Sequence, residues 1–242
     1  MKYENFHVCS KIKAMKNTAL ILASGTGERS GLNRPKQFFE VGGKTLLEHS
    51  VQAFDNHPLI NNIIVVSHPD FIEQTRTLTR SFRKVSRVIP GGKTRQESSY
   101  NGVFAIENSD NVLIHDAVRA FVTEEIITSC IEGLKKHAAV CAATETPDTI
   151  LEVDESGKII SVPQRKFLRC AQTPQCFKLD LIKHAHELAR TQQQSVTDDC
   201  GLLLANKLAD IYIVKGNSKN RKITYPEDLD FAQWVYINNC NK

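Results

Sequence analysis

From Thr18 onward the chain alternates short, unbroken apolar runs with longer stretches whose apolar positions recur every three or four residues. Thr18-Ala-Leu-Ile-Leu-Ala23 and Asn62-Ile-Ile-Val-Val-Ser67 read as buried strands. Asn111-Val-Leu-Ile-His115, Ala138-Ala-Val-Cys-Ala-Ala143 and Asp210-Ile-Tyr-Ile-Val214 follow in the same style. Runs without polar alternation are what a parallel sheet covered on both faces requires. Between them, Leu46, Leu47, Ser50, Val51 and Phe54 fall on one helical stripe, and Ile126, Ile127, Ile131 and Leu134 on another. Asp70-Phe-Ile-Glu73 has the form of a capping box, and Pro226-Glu-Asp opens a last helix with acids at its positive end. Strand and helix in repetition predict an α/β fold with a doubly wound, mostly parallel sheet.

One segment breaks this rhythm. Residues Thr149 to Val162 read as two short alternating strands around Glu155-Ser-Gly157, a β-hairpin. Placed late in a parallel sheet, such a hairpin is an edge extension or an arm reaching toward a partner subunit. Residues 1–14 show no period and precede a second methionine, Met15; they are expected to form a disordered tail. Residues 15–242 are expected to form a single domain, with the inserted arm at about 145–175.

Composition narrows the class. The 242 residues are 41% hydrophobic and 24% charged, enough to bury a core and unlike a disordered chain. No apolar run approaches the roughly 20 residues that span a bilayer, and the polar start lacks the apolar segment of an export signal. A net charge of +4 is too weak to argue for nucleic acid. Seven scattered cysteines form no C-x-x-C pair and no zinc-ligand spacing. They read as reduced thiols of a cytoplasmic protein without nucleic-acid or membrane partners.

Chemistry concentrates after the first strand, in Leu22-Ala-Ser-Gly-Thr-Gly-Glu-Arg-Ser-Gly-Leu-Asn-Arg-Pro-Lys-Gln37. Glycines 25, 27 and 31 can present backbone N–H groups to an anion, and Arg29, Arg34 and Lys36 add positive charge. Three nucleotide-binding modes compete. A dinucleotide fold should run from the glycines straight into a helix, but Pro35 interrupts it; Asp70, its candidate ribose acid, is explained by the capping box. A P-loop needs Gly-Lys-[Ser/Thr] in this turn; Gly43-Lys-Thr45 and Gly92-Lys-Thr94 carry the tripeptide without the upstream glycine. A loop wrapping a triphosphate with amides, Arg and Lys remains, the mode of nucleotidyltransferases. Asp116, ending an apolar strand, points from a carboxyl edge into the crevice, with a helix cap as the competing reading; His115 reads as packed or hydrogen-bonded. Lys222 on its own reads as solvated, and Gln172-Thr-Pro-Gln175 as a turn.

Several separated motifs carry a resemblance. Leu22 to Arg29 with Pro35-Lys-Gln-Phe38, Gly91-Gly-Lys-Thr-Arg-Gln-Glu-Ser98 and His115-Asp-Ala-Val-Arg119 come first. Gln172 to Gln175, Thr197-Asp-Asp199 and Lys222-Ile-Thr-Tyr-Pro-Glu-Asp-Leu229 follow. From Thr18 to about Trp234 the chain resembles the cytidylyltransferases that load polyol phosphates with CMP: the 2-C-methyl-D-erythritol 4-phosphate enzyme and its ribitol-5-phosphate relatives. The resemblance implies a Rossmann-like nucleotidyltransferase fold, CTP and a polyol phosphate as substrates, Mg²⁺ as cofactor and a homodimer through the arm. It implies that Arg29 and Lys36 stabilise the transition state, and that Ala23, Ser24, Gly25, Gly92 and Ser98 line the cytidine pocket. Asp116 would sit by the metal. Arg165 and Lys222 would grip the acceptor phosphate, with Arg165 lent across the dimer.

Ser24, Ser30, Lys93 and Ala120 depart from the usual pattern without removing a charge the chemistry needs. For the acceptor, the spacing from Gly31 to Pro35, Thr94-Arg-Gln and Thr197 to Asp199 resemble the methylerythritol enzyme. Val118 and Val162-Pro-Gln-Arg165 resemble the ribitol branch. Methylerythritol phosphate is favoured. An NAD(P)-dependent oxidoreductase and a catalytically silent nucleotide-binding module are the readings from other classes.

Overall fold

A computed structural model of the chain describes residues 15–26 and 34–240. The expected tail, residues 1–14, and the expected transition-state residue Arg29 lie outside the described residues.

The strands in chain order are β1 (Asn17–Ala23), β2 (Glu40–Val41), β3 (Lys44–Thr45), β4 (Asn62–Ser67), β5 (Val85–Pro90) and β6 (Asn111–Asp116). Then come β7 (Ala139–Glu145), β8 (Glu152–Val153), β9 (Ile159–Ser161), β10 (Arg169–Lys178) and β11 (Ile211–Lys215). The helices are α1 (Leu46–Asn56), α2 (Ile72–Thr79), α3 (Arg95–Phe104), α4 (Glu124–Leu134), α5 (Leu179–Thr191), α6 (Asp199–Ala205) and α7 (Glu227–Cys240). Seven strands form one sheet in the order β11-β7-β10-β6-β1-β4-β5. All neighbours are parallel except β10, which runs antiparallel to both β6 and β7.

Each central strand feeds two cores. Ala19, Ile21 and Ala23 of β1 face α1 and α4, packing with Leu47, Val51, Phe54, Ile127 and Ile131. Leu20 and Leu22 face the other way, onto Val103 of α3, Ile182 of α5 and Leu202 of α6. Both faces are apolar because both are covered, which is why the strand sequences do not alternate. A third, smaller core joins Val41, Leu46, Phe121, Ile223 and Val235, seating α7 beside the start of α1.

Two strands of the seven-stranded sheet escaped the pattern. β5 is a half-exposed edge strand, so its Ser and Arg dilute the apolar signal. Arg169 to Lys178 contains the motif read as a turn, yet it is a strand in the middle of the sheet. Proline is tolerated there because the β7 register shifts between Ala171 and Gln175, where no ladder bond is asked of it. The arm therefore ends earlier than about 175: the chain rejoins the sheet at Arg169, opposite Glu145. The capping box also moves. Pro69 begins a tight single turn, Pro69–Phe71, so α2 starts at Ile72 and Phe71 supplies no side-chain cap. A reciprocal capping box occurs instead at α1. The Thr45 hydroxyl accepts from the Glu48 amide at 3.2 Å, and the Glu48 carboxylate accepts from the Thr45 amide at 2.8 Å.

The expected hairpin forms as β8 and β9, a two-stranded ribbon outside the main sheet. No helix among the described residues is long and apolar enough to cross a membrane. Cys130, Cys141, Cys170, Cys176 and Cys200 are free thiols.

Candidate active site

A cavity of about 380 Å³ opens at the carboxyl ends of β1, β4 and β6, where doubly wound sheets bind their ligands. Ala23, Ser24 and Gly25 line it from the end of β1, and Gly92 from the entry to α3. Asp116 reaches it from β6, Lys36 from the single turn Lys36–Phe38, and Lys222 from the segment before α7. Seven of the residues singled out in the sequence thus meet at one place.

Local bonds explain why. Buried Gln37 donates to the carbonyls of Ala23 at 2.8 Å and Gly25 at 3.0 Å, fastening the turn after β1. Ser98 lies just behind the wall rather than on it: its hydroxyl accepts from Ser24 Oγ at 2.7 Å and from the Gly92 amide at 3.1 Å. That junction is tight, since a Cβ on Gly91 would fall 2.6 Å from Ser24 Cβ. Gly25 has no positive φ, and a Cβ there would meet nothing within 4 Å among the described residues.

Charge in the cavity is lopsided. Asp116 faces Lys222 Nζ at 2.8 Å from one oxygen and Arg95 Nε at 3.2 Å from the other, with Arg119 Nε at 3.9 Å. Burial alone would raise the Asp116 carboxyl, but the cations around it win and hold it far below the usual carboxylate range. Arg95 continues to Asp199, 2.8 Å away and almost fully buried, which also takes a short hydrogen bond from Ser99. Desolvation works against the Arg95 charge, yet Asp199 and Asp116 raise its pKa overall. His115 is packed, as expected. Its Nε2 donates to the Arg119 carbonyl at 3.1 Å and its Nδ1 accepts from Thr173 Oγ1 at 2.9 Å. Burial lowers its pKa from 6.5 to about 4.

Sequence reasoning missed Arg95 and Arg119 as individual site cations, although both stand in motifs it quoted. Nothing local marked Arg95, because its carboxylate partners Asp116 and Asp199 are 21 and 104 residues away and fixed only by the fold; Arg119 stands three residues from Asp116 in one motif. Gln172 and Gln175 turn out to be fasteners. Gln172 donates to the Asn217 carbonyl at 2.9 Å, and Gln175 donates to Asp198 at 2.7 Å while accepting from the Asp199 amide at 3.0 Å. Arg165 is not in the cavity; it sits on the exposed arm and donates to Thr149 Oγ1 at 2.9 Å. Arg34 lies over the Phe39 ring at 4.4 Å. Asp70 is exposed beside His68 and does not line the cavity as a ribose-binding acid would.

No cluster of three or more His, Cys, Asp or Glu side chains that could hold a metal occurs among the described residues. Among the described residues Asp116 is the one carboxylate lining the cavity. Mg²⁺ takes one or two carboxylates plus substrate phosphates and water, so this donor set fits an ion that arrives with a nucleotide rather than one caged by protein.

An anion-seeking cavity at the carboxyl edge of a doubly wound sheet, walled by a short Gly turn and lysines from distant segments, defines a nucleotidyltransferase. The sequence profile of the family described as "IspD: 2-C-methyl-D-erythritol 4-phosphate cytidylyltransferase" matches residues 17–238, and the chain belongs to that family. A Clostridium botulinum 2-C-methyl-D-erythritol 4-phosphate cytidylyltransferase is 38% identical over 223 residues, covering 91% of this chain and 97% of the relative. A Haemophilus influenzae bifunctional ribulose 5-phosphate reductase/CDP-ribitol pyrophosphorylase is 37% identical over 228 residues, covering 91% of this chain and 48% of that protein. The crystal structure of 4-diphosphocytidyl-2C-methyl-D-erythritol synthase from Anaerococcus prevotii superposes with a TM-score of 0.84 at 30% identity, covering 94% of this chain and 98% of that one. The Thermus thermophilus 2-C-methyl-D-erythritol 4-phosphate cytidylyltransferase gives 0.76 at 29% identity, covering 92% and 99%.

Proposed function

We propose that this chain transfers CMP from CTP to 2-C-methyl-D-erythritol 4-phosphate and releases pyrophosphate. The observation that carries this reading is the convergence of Lys36 and Lys222 on one cavity with Asp116. The family and the names of the Clostridium, Anaerococcus and Thermus relatives support the choice of substrates.

The attacking oxygen belongs to a phosphate monoester whose second pKa is about 6, so it is largely deprotonated near neutrality. A protein base is not needed, and buried, neutral His115 has no proton to take. The work left to the residues is to hold two anions in line and to balance charge on the α-phosphate and the departing pyrophosphate. Lys36 and Arg29 are the proposed transition-state cations. Ala23, Ser24, Gly25 and Gly92, backed by Ser98, are the proposed cytidine wall. Lys222 grips the acceptor phosphate; Asp116 aims it and sits by the metal. Mg²⁺, bound with CTP, would screen the triphosphate and polarise the oxygens being displaced.

The proposed working form is a cytoplasmic homodimer. Ile150, Leu151, Val153, Ile159, Ile160 and Val162 of the arm are exposed, and Phe167 is 75% exposed. Such a patch suits burial against a second copy, which would lend Arg165 to the acceptor of the other subunit.

Ribitol 5-phosphate is the alternative acceptor, favoured by Val118 in the cavity wall and by the Haemophilus relative. Pyrophosphate release from CTP and Mg²⁺ with each acceptor separates them. Methylerythritol phosphate is expected to show the higher kcat/KM; a hundredfold preference for ribitol 5-phosphate reverses the assignment.

A further inference from the structure

The segment 221–225 that carries Lys222 has no helix or strand of its own, yet it must hold a lysine steady against Asp116. We infer that Asp228, outside the cavity, is the positioning residue that aims both Lys222 and Lys36; this rests on the proposed transfer for its assay. Asp228 is 4% exposed. Its Oδ2 accepts from the Thr224 amide at 2.7 Å and the Tyr225 amide at 2.9 Å, and its Oδ1 lies 2.8 Å from Arg221 Nη2. One carboxylate therefore grips the backbone just after Lys222 and the side chain just before it. Between them, the Ile223 amide donates to the Val118 carbonyl at 2.9 Å.

The geometry extends to Lys36 through a single rigid unit. The Thr224 carbonyl and the Tyr225 N–H belong to one planar trans peptide, so they point to opposite sides. Holding the N–H on Asp228 turns the carbonyl outward, where Lys36 Nζ donates to it at 3.0 Å. Two lysines 186 residues apart are thus referred to the same buried carboxylate. Helix α7 anchors that reference. Its Tyr236 ring covers Gly42, whose φ of +60° and lack of a Cβ admit the ring, so α7 also packs on the β2–β3 turn that follows Lys36.

The test measures pyrophosphate release from CTP, Mg²⁺ and methylerythritol phosphate, with thermal unfolding alongside, for the full chain and Asp228→Ala, Asp228→Asn and Arg221→Ala. Asp228→Ala is expected to lose at least tenfold in kcat with the KM for CTP changed less than threefold. Asp228→Asn still accepts from both amides and should recover to within threefold of the parent. Arg221→Ala should match it, because the half-exposed Arg221 side chain is removed while both amide contacts to Asp228 remain. A lowered unfolding temperature with parental kcat in Asp228→Ala, or equal kcat losses in the Ala and Asn variants, overturns the inference. If Asp228→Ala does not fold, Asp228→Glu decides, since it keeps the charge but shifts the carboxylate by a methylene. A tenfold kcat loss supports the inference and a parental rate overturns it. If the parent releases pyrophosphate with neither acceptor, the proposed activity fails, and calorimetric binding of inorganic phosphate, the anion Lys222 would hold, decides this point separately. Tenfold weaker binding by Asp228→Ala supports the inference; parental affinity overturns it.

Discussion

Asp116 spends its charge on neighbours rather than on a proton. With Lys222, Arg95 and Arg119 around it, its carboxyl is held far below the usual carboxylate range. Its value is geometric, because it fixes the direction in which those cations present themselves. Lys36 is the cavity cation that the proposed transition state needs, and Lys36→Met removes its charge with little change of volume. By analogy with a lost oxyanion donor, kcat should fall on the order of a hundredfold, about 3 kcal/mol, with CTP binding retained; a rate within fivefold of the parent would remove Lys36 from the chemistry. His115 makes a different prediction. Its folded pKa of about 4 lies below the ordinary 6.5, so between those values the unfolded chain binds a proton that the folded chain excludes. The stability this contributes is complete above pH 6.5 and is lost as pH falls to 4, by about 3 kcal/mol at most. Urea unfolding in metal-free buffer at pH 7 and pH 4.5 should show the decline, and His115→Asn should show a shallower one.

At the level of elements, the arm is the part with most apolar surface and least to cover it. Phe167→Asp is expected to shift sedimentation toward a single subunit. It should also depress turnover through the acceptor while CTP still binds, because Arg165 stands in the same turn as Phe167. Full activity in a protein shown to be a single subunit would end the arm-exchange proposal. What the sequence revealed about elements follows from burial. β4 was legible to the residue because it is apolar and covered on both faces. The stripes of α1 and α4 matched their buried residues for the same reason. β10 was hidden: its polar Gln172, Thr173 and Gln175 are buried only because Asn217, His115 and Asp198 come to meet them, and those partners lie 23 to 58 residues away. Asp70 misled because a proline beside it changed the turn without changing the motif.

For the whole molecule, the two-faced sheet with a carboxyl-edge cavity was written in the alternation of apolar runs and stripes. The identity of the cavity came only when separated motifs were read together. Ala23, Ser24, Gly25, Lys36, Gly92, Asp116 and Lys222 assemble there, whereas Arg95 became visible as a site cation only once β6 and α3 were side by side. The third core, which seats α7, has no counterpart in the strand–helix rhythm; it draws on residues from Val41 to Val235.

The antiparallel strand between β6 and β7 carries one more consequence. Until residue 178 has left the ribosome, the growing chain holds one incomplete sheet, β5-β4-β1-β6, and the lone strand β7, each with a raw inner margin of unpaired amides and carbonyls. A message truncated within the arm would leave those margins permanently open, and the fragment would be prone to stick to its own kind.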